Sequence, residues 1–190
     1  MSALNRSSRR SWLLLVVLVA AGCGYNTIQT YDEQVNSAAS QIKVQLQRRA
    51  DLIPNLVATV KGFAHQESLV YIAVAEARSR LLNAVQSGSL PQMADANQAL
   101  NAPLGRLLAI AENYPQLKSN ENFRALQDEL TGTENRIAVS RQDYNDAVSR
   151  YNAYIRRFPQ VMTAKLTGAK AREYFQLQTA GADTVPKVKL

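Results

Sequence analysis

The chain has 190 residues, enough for one domain with a real core, and its 46% hydrophobic content with only 8 glycines and 6 prolines excludes a disordered or low-complexity chain. Its formal net charge is +7, of which Arg6, Arg9 and Arg10 supply three; residues 23–190 carry 19 basic against 15 acidic groups, or +4. The basic residues are scattered, with no block of five or six, which argues against a nucleic-acid face and leaves a weak attraction to an anionic membrane.

The first element is a processing signal. Met1–Arg10 is polar and cationic, and Trp12–Ala21 is the apolar run WLLLVVLVAA. About ten residues are too few to cross a bilayer, which takes roughly 20 at 1.5 Å each, but they suit the centre of a secretory signal. The run ends in Ala20-Ala21-Gly22-Cys23, which resembles a bacterial lipobox, with Ala20 where leucine is usual. Cys23 is the single cysteine, so an internal disulfide is excluded. The expectation is that residues 1–22 form a lipoprotein signal peptide and that Cys23 is the lipid-attachment site. An ordinary signal peptide and an uncleaved anchor are the alternatives. Each buried methylene adds about 0.8 kcal/mol, so two or three acyl chains hold where one is marginal. Gly24 after the cysteine favours the outer over the inner membrane. Ser8-Arg9-Arg10-Ser11-Trp12-Leu13 also resembles a twin-arginine export signal.

From Tyr31 the apolar period is helical: Val35, Ala39, Ile42, Leu46, Ile53, Leu56, Val60 and Phe63 line one face, and no stretch alternates like a strand. The first segment spans 26–64. Pro54 lies inside it without changing the apolar phase, which predicts a kink in one helix. The alternative is a new helix capped by Asp51. A second segment, 66–86, has Ser68 as its candidate cap; residues 62–67 hold no proline, so the two segments either break there or run on as one helix. Ser87-Gly88-Ser89-Leu90-Pro91 and Asn113-Tyr114-Pro115 bound a third segment, 92–112. The fourth, 120–158, carries a heptad line through Phe123, Leu130, Ile137, Tyr144, Tyr151 and Phe158, beside a softer one through Leu126, Thr133, Ser140, Ala147 and Tyr154. It is predicted to end at Phe158-Pro159. Two segments of about 39 residues and two of about 21, joined by short turns, predict an all-α, long antiparallel four-helix bundle of up-and-down topology over residues 23–175. In the less periodic tail, REYFQL is expected as a short helix packing Tyr174 and Phe175 inward, and 176–190 as an extended or mobile end.

Catalytic patterns are missing. There is no G-x-S-x-G, no P-loop and no Glu-x-x-His pair, and His65 is the single histidine, read as a polar surface or capping group at a helix joint. Asp128-Glu129 and Asp143/Asp146 read as outward solubility charges. Arg48, Arg49 and Asp51 are a candidate partner-binding knot, the plainer reading being a solvated face. Tyr151 and Tyr154, with Tyr144, are a candidate amphipathic strip for a partner or lipid headgroups, the plainer reading being core packing with hydroxyls at the rim. No cofactor, metal or small-molecule substrate is expected.

VQLQRRADLIPNLVATVKGFAHQE, residues 44–67, closely resembles the signature of the LemA family of bacterial envelope proteins. Tyr25-Asn26, DYNDAVSRYNAYIRRFP at 143–159, AREYF at 171–175 and PKVKL at 186–190 match in order, covering essentially the whole mature chain. Relatives often carry an aromatic residue near the position of Ala39. The resemblance implies a helical bundle tethered near its N-terminus to a membrane, with no established enzyme activity and, in some relatives, a link to magnetosome membranes. The function expected is a non-catalytic scaffold or adaptor, lipid-anchored in the envelope and facing the periplasm. Its partners would be membrane lipid through acylated Cys23 and an unknown envelope protein, with no nucleic acid. The alternative is a protein that itself touches the membrane and affects its shape or the envelope stress response.

Overall fold

The computed structural model describes the backbone of residues 4–175 and the side chains of residues 24–175. Among these are six helices and no strand: α1 (Leu4–Lys61), α2 (Ser68–Ser87), α3 (Leu90–Asn113), α4 (Pro115–Lys118), α5 (Glu121–Ile155) and α6 (Gln160–Thr167). The proposed tail, 176–190, lies outside the described residues. Among the described residues no helix is long and apolar enough to cross a membrane. The chain divides into two compact units. One holds the described residues through Ser40 together with Ser140–Tyr174; the other holds Gln41–Val139 and Phe175. Helices α1 and α5 each contribute to both.

In the Gln41–Val139 unit, α1 buries Ile42, Leu46, Ala50, Ile53, Leu56 and Val60 at steps of three and four, the spacing of one helical face. Fully burying a side chain such as Leu56 contributes about 1.5–3 kcal/mol. The helix passes through Pro54 unbroken, and Pro54 itself is exposed. It does end at Lys61, so the joint at 62–67 is a break. Tyr71 locks this joint from α2: its hydroxyl donates to the Ala64 carbonyl, and the Lys61 ammonium sits 5.1 Å above its ring. His65 is exposed in the same turn. Ser68 is the first helical residue rather than the cap; Glu67 precedes the helix and makes no side-chain capping bond.

Helices α2 and α3 pack on each other as a hairpin. Gly88 ends α2 at φ +74°, in the left-handed region where a side chain is strained. Ser89 caps α3 by accepting the Gln92 N–H, and Pro91 falls in the first turn, where its missing N–H costs nothing. Helix α3 therefore starts two residues earlier than expected. After Tyr114 the chain makes the short α4, whose Leu117 is fully buried, and the Asn120 side chain caps α5 by accepting the Phe123 N–H at 3.0 Å. On α5 the heptad line is buried from Phe123 through Leu130 to Ile137. The soft Thr133 is also buried, its hydroxyl donating to the Leu130 carbonyl at 2.7 Å.

In the other unit Ile28 and Val35 of α1 are buried, as are Tyr144, Ala147, Val148, Tyr151 and Ile155 of α5. The heptad line stops there. Helix α5 ends at Ile155, three residues before the expected stop, and Phe158 is 83% exposed instead of closing the seam. Pro159 stands immediately before α6, an element the sequence reading did not anticipate. Gly168 ends α6 at φ +71°. Residues 169–175 are not helical, so REYF is an irregular strap; Phe175 is buried as expected and Tyr174 is 47% exposed.

Candidate functional site

Two polar nodes stand out, one in each unit. The first is centred on Arg49. Leu46, Arg49, Ala50 and Ile53 share the buried face of α1, so the guanidinium is carried inward and the residue is only 5% exposed. Its Nη1 donates to Asn97 Oδ1 and lies 2.5 Å from Glu134 Oε2; its Nη2 donates to Asn101 Oδ1 at 2.8 Å. A buried guanidinium is tolerated because oxygens from α3 and α5 surround it. The neighbouring residues stay outside. Arg48 is exposed and pairs with Glu129 at 2.8 Å, a carboxylate that also takes Arg136 at 2.7 Å. Asp51 is exposed and accepts from Gln47 at 2.9 Å, one turn earlier.

Four residues after Ala50 comes Pro54, which has no N–H to give the Ala50 carbonyl. Arg78 of α2 supplies the missing donor, its Nε lying 2.8 Å from that oxygen. Beside it Ile53, Pro54, Val57, Tyr71, Ile72 and Ala75 line a mostly apolar cleft of about 290 Å³.

The second node holds the strap. Asn152 is buried and makes a matched pair of bonds to one backbone residue: its Nδ2 donates to the Arg172 carbonyl and its Oδ1 accepts the Arg172 N–H, both at 2.8 Å. The Tyr144 hydroxyl donates to the Glu173 carbonyl at 3.0 Å. The Arg172 side chain turns to α1, forking onto Asp32 at 2.8–3.0 Å and reaching Asn36 at 3.3 Å. Burial pushes the Tyr144 and Tyr151 phenols above their ordinary value; the Arg172 cation opposes this, and Glu173 at Tyr144 and Asp32 at Tyr151 add to it. Tyr151 is buried, while Tyr154 is half-buried and meets Tyr31 edge-to-face at 5.2 Å. A cleft of about 400 Å³ lies between Ile28, Asp32, Tyr151, the C-terminal end of α6 and the start of the strap at 169–172.

Of the residues singled out from sequence, the structure thus brings Arg48, Arg49 and Asp51 to one turn of α1 and Tyr151 and Tyr154 to one turn of α5. Arg49 and Tyr151 face inward; Arg48, Asp51 and part of Tyr154 face out. The side chain of Cys23 lies outside the described ones. Sequence reasoning missed Asn97, Arg78, Asp32 and Arg172. Asn97 had a signal, a polar residue at a core position of the Met93, Leu100, Leu104, Leu107 stripe. The other three sit at the edges of apolar stripes, where a charge is unremarkable.

These features define an all-helical protein in which polar side chains tie helices and a strap together. The chain belongs to the LemA family, whose family model matches residues 38–190. It is similar to the magnetosome proteins MamQ 2 and MamQ 1 of Paramagnetospirillum magneticum, each 30% identical in an alignment 180 positions long that covers 83% of this chain and 66% of theirs. It is also similar to the magnetosome protein MamQ of Magnetospirillum gryphiswaldense, at 27% identity over the same shares. The chain therefore spans 66% of the length of these curated relatives.

Proposed function

We propose that this is a membrane-attached, non-catalytic envelope protein that acts as a scaffold or adaptor. Residues 1–22 are a signal peptide, Cys23 becomes the acylated first residue, residues 23–175 form a four-helix bundle on the periplasmic side, and 176–190 trail from it. Gly24 favours the outer membrane. The observation that carries this reading is the Ala20-Ala21-Gly22-Cys23 sequence closing an apolar run of about ten residues, too short to span a bilayer alone. Kinship with magnetosome proteins supports membrane association. The inward use of Arg49 and Asn152 supports a structural rather than chemical role for the buried polar groups. Arg48 and Asp51 in the one unit, and separately the half-buried Tyr154 in the other, are what the chain offers to an envelope partner.

Cys23→Ala in the full chain, expressed in a Gram-negative host fed labelled palmitate, tests the anchor. Loss of label together with accumulation of the unprocessed chain is expected. Label retained by Cys23→Ala overturns the lipoprotein reading.

A further inference from the structure

The segment around α6 carries an apolar face that is open to solvent. Phe158 is 83% exposed, Met162 57% and Leu166 83%. Met162 and Leu166 are one turn apart on the same side of α6, while Thr163 and Ala164 on the other side are buried. Single exposed hydrophobics are ordinary; three within one short stretch ask for an occupant.

Charge identifies the occupant. From Ala147 to Arg172 there is no aspartate or glutamate, while Arg156, Arg157, Lys165 and Lys170, in or next to α6, are all exposed. Within that stretch every charged residue is basic, Glu173 stands just outside it and Asp32 is taken up by Arg172, so a second copy seated on the face would meet mainly like charge. An anionic surface would be attracted.

Position points the same way. Gly24 is buried so close to α6 that a Cβ there would stand 3.5 Å from Gln160 Cγ and 3.6 Å from Thr163 Oγ1. Cys23 is the next residue, its Cα about 3.8 Å further along. Whether the chain is held by an acylated Cys23 or by the apolar run ending at Ala21, residue 23 lies where bilayer meets water, and α6 lies beside it.

We infer that α6 and Phe158 form a membrane-surface foot: Phe158, Met162 and Leu166 enter the headgroup–acyl boundary of an anionic phospholipid bilayer, and Arg156, Arg157, Lys165 and Lys170 meet its phosphates. The inference rests on the N-terminal attachment proposed above. An eight-residue helix is too short to hold a membrane alone, but a tether at residue 23 makes the contact intramolecular. Long basic side chains reach the phosphates while their stems cover the apolar face. Tyr25, 46% exposed and next to Gly24, suits the same boundary.

The test uses the full chain in phosphatidylethanolamine/phosphatidylglycerol vesicles whose acyl chains are brominated to quench indole emission. Trp12 is the single tryptophan, so Trp12→Phe/Phe158→Trp and Trp12→Phe/Met162→Trp each report one site. Both should show blue-shifted emission quenched about twofold, as for an indole at the acyl boundary. Trp12→Phe/Gln142→Trp, at an exposed site on α5 in the same unit and about 20 Å along the helix from Ile155, should stay unquenched. Exchanging phosphatidylglycerol for phosphatidylcholine, or adding Arg156→Gln, Arg157→Gln and Lys165→Gln together, should abolish most of the quenching. Water-like, unquenched emission at both 158 and 162 from a chain that still floats with the vesicles overturns the foot and leaves the attachment standing. A chain that does not float at all overturns both. A blue shift without bromine quenching, with two chains per particle by light scattering, places a second copy on the face and also overturns the foot.

Discussion

Arg49 and Arg172 are both guanidiniums tying separate elements together, but the two units use them differently. In the Gln41–Val139 unit the cation goes inside, 5% exposed, and oxygens from α3 and α5 close around it. In the other unit the Arg172 side chain stays 42% exposed on Asp32, and its buried contribution is its backbone, held by Asn152. The difference follows from what each must hold. Helices satisfy their own backbones, so only side chains are free to tie them together. An irregular strap has no ladder, and its buried N–H and C=O need partners from elsewhere. Asn152, with one donor and one acceptor at matching spacing, serves as a short edge of sheet.

The contrast predicts unequal costs, the largest in the aliphatic interior that makes a buried cation tolerable. Ile137 has no exposed surface, and Ile137→Asp puts a charge where nothing pairs with it. A loss of about 4 kcal/mol or outright unfolding is expected in a urea melt. A cost below about 1 kcal/mol would show that this interior admits water, and the reason for treating Arg49 as a special case would go with it.

Next comes the cation itself. Arg49→Met leaves the oxygens of Asn97 and Asn101 and a half-exposed Glu134 without their donor. The expected loss is about 2–3 kcal/mol. Arg49→Met/Glu134→Leu should recover most of it, because removing both charges leaves neither uncompensated. If the single and double variants melt alike, the charge pair contributes nothing.

Asn152→Leu should cost less, about 2 kcal/mol for two bonds at about 1 each. Its signature is local: the Arg172 amide should lose protection from hydrogen exchange before the helices do. Asp32→Asn removes only the partly exposed ion pair, worth about 0.5 kcal/mol, and should leave that amide protected.

Much of this fold was legible from period alone. Most buried positions of α1 from Val35 to Val60 and of α5 from Phe123 to Tyr151 are those the apolar spacing predicts, because a helix in water must hide one face; Ala39 and Leu126, on the predicted faces, are only half-buried, and Ala50 joins the core without having been read from the spacing. Capping and turn residues located Gly88, Ser89 and Tyr114 for the same local reason. What escaped was non-local. Phe158 continues the heptad arithmetic perfectly, yet the helix stops at Ile155 and sends it outward. α6 follows Pro159 with a weak apolar pattern, and the strap has none, since its order comes from Asn152 and Tyr144 rather than from its own residues. Of the polar nodes, Arg48 and Arg49 drew notice as a pair, but nothing local says that one faces water and the other a nest of oxygens. Their neighbours on α1 decide that, and their partners lie 48 and 81 positions away.

Pro54 offers the finest test, because it makes a local backbone defect answer to a distant side chain. An α-helix would have the residue at 54 donate to the Ala50 carbonyl, and proline cannot. Arg78 donates there instead, at 2.8 Å, on a residue with no exposed surface. Arg78→Met should therefore strand a buried acceptor and cost about 1–2 kcal/mol. Pro54→Ala returns an N–H to that carbonyl and removes a penalty of up to about 3 kcal/mol, but it also re-aims Ile53 and Leu56, whose buried methyl contacts are worth about 1 kcal/mol each. The two effects oppose, and the net change is expected to be within about 1 kcal/mol of zero. The decisive quantity is their coupling. With alanine at 54 the carbonyl has its own helical partner, so Arg78→Met should then cost about 0.5 kcal/mol or less, leaving a coupling of about 1 kcal/mol in a double-mutant cycle. Equal costs for Arg78→Met in both backgrounds would mean that Arg78 does not act through the proline's orphaned carbonyl. The side chain would then count as packing against the Pro54 cleft, and only Arg49 would remain in this unit as a guanidinium placed to satisfy buried oxygen.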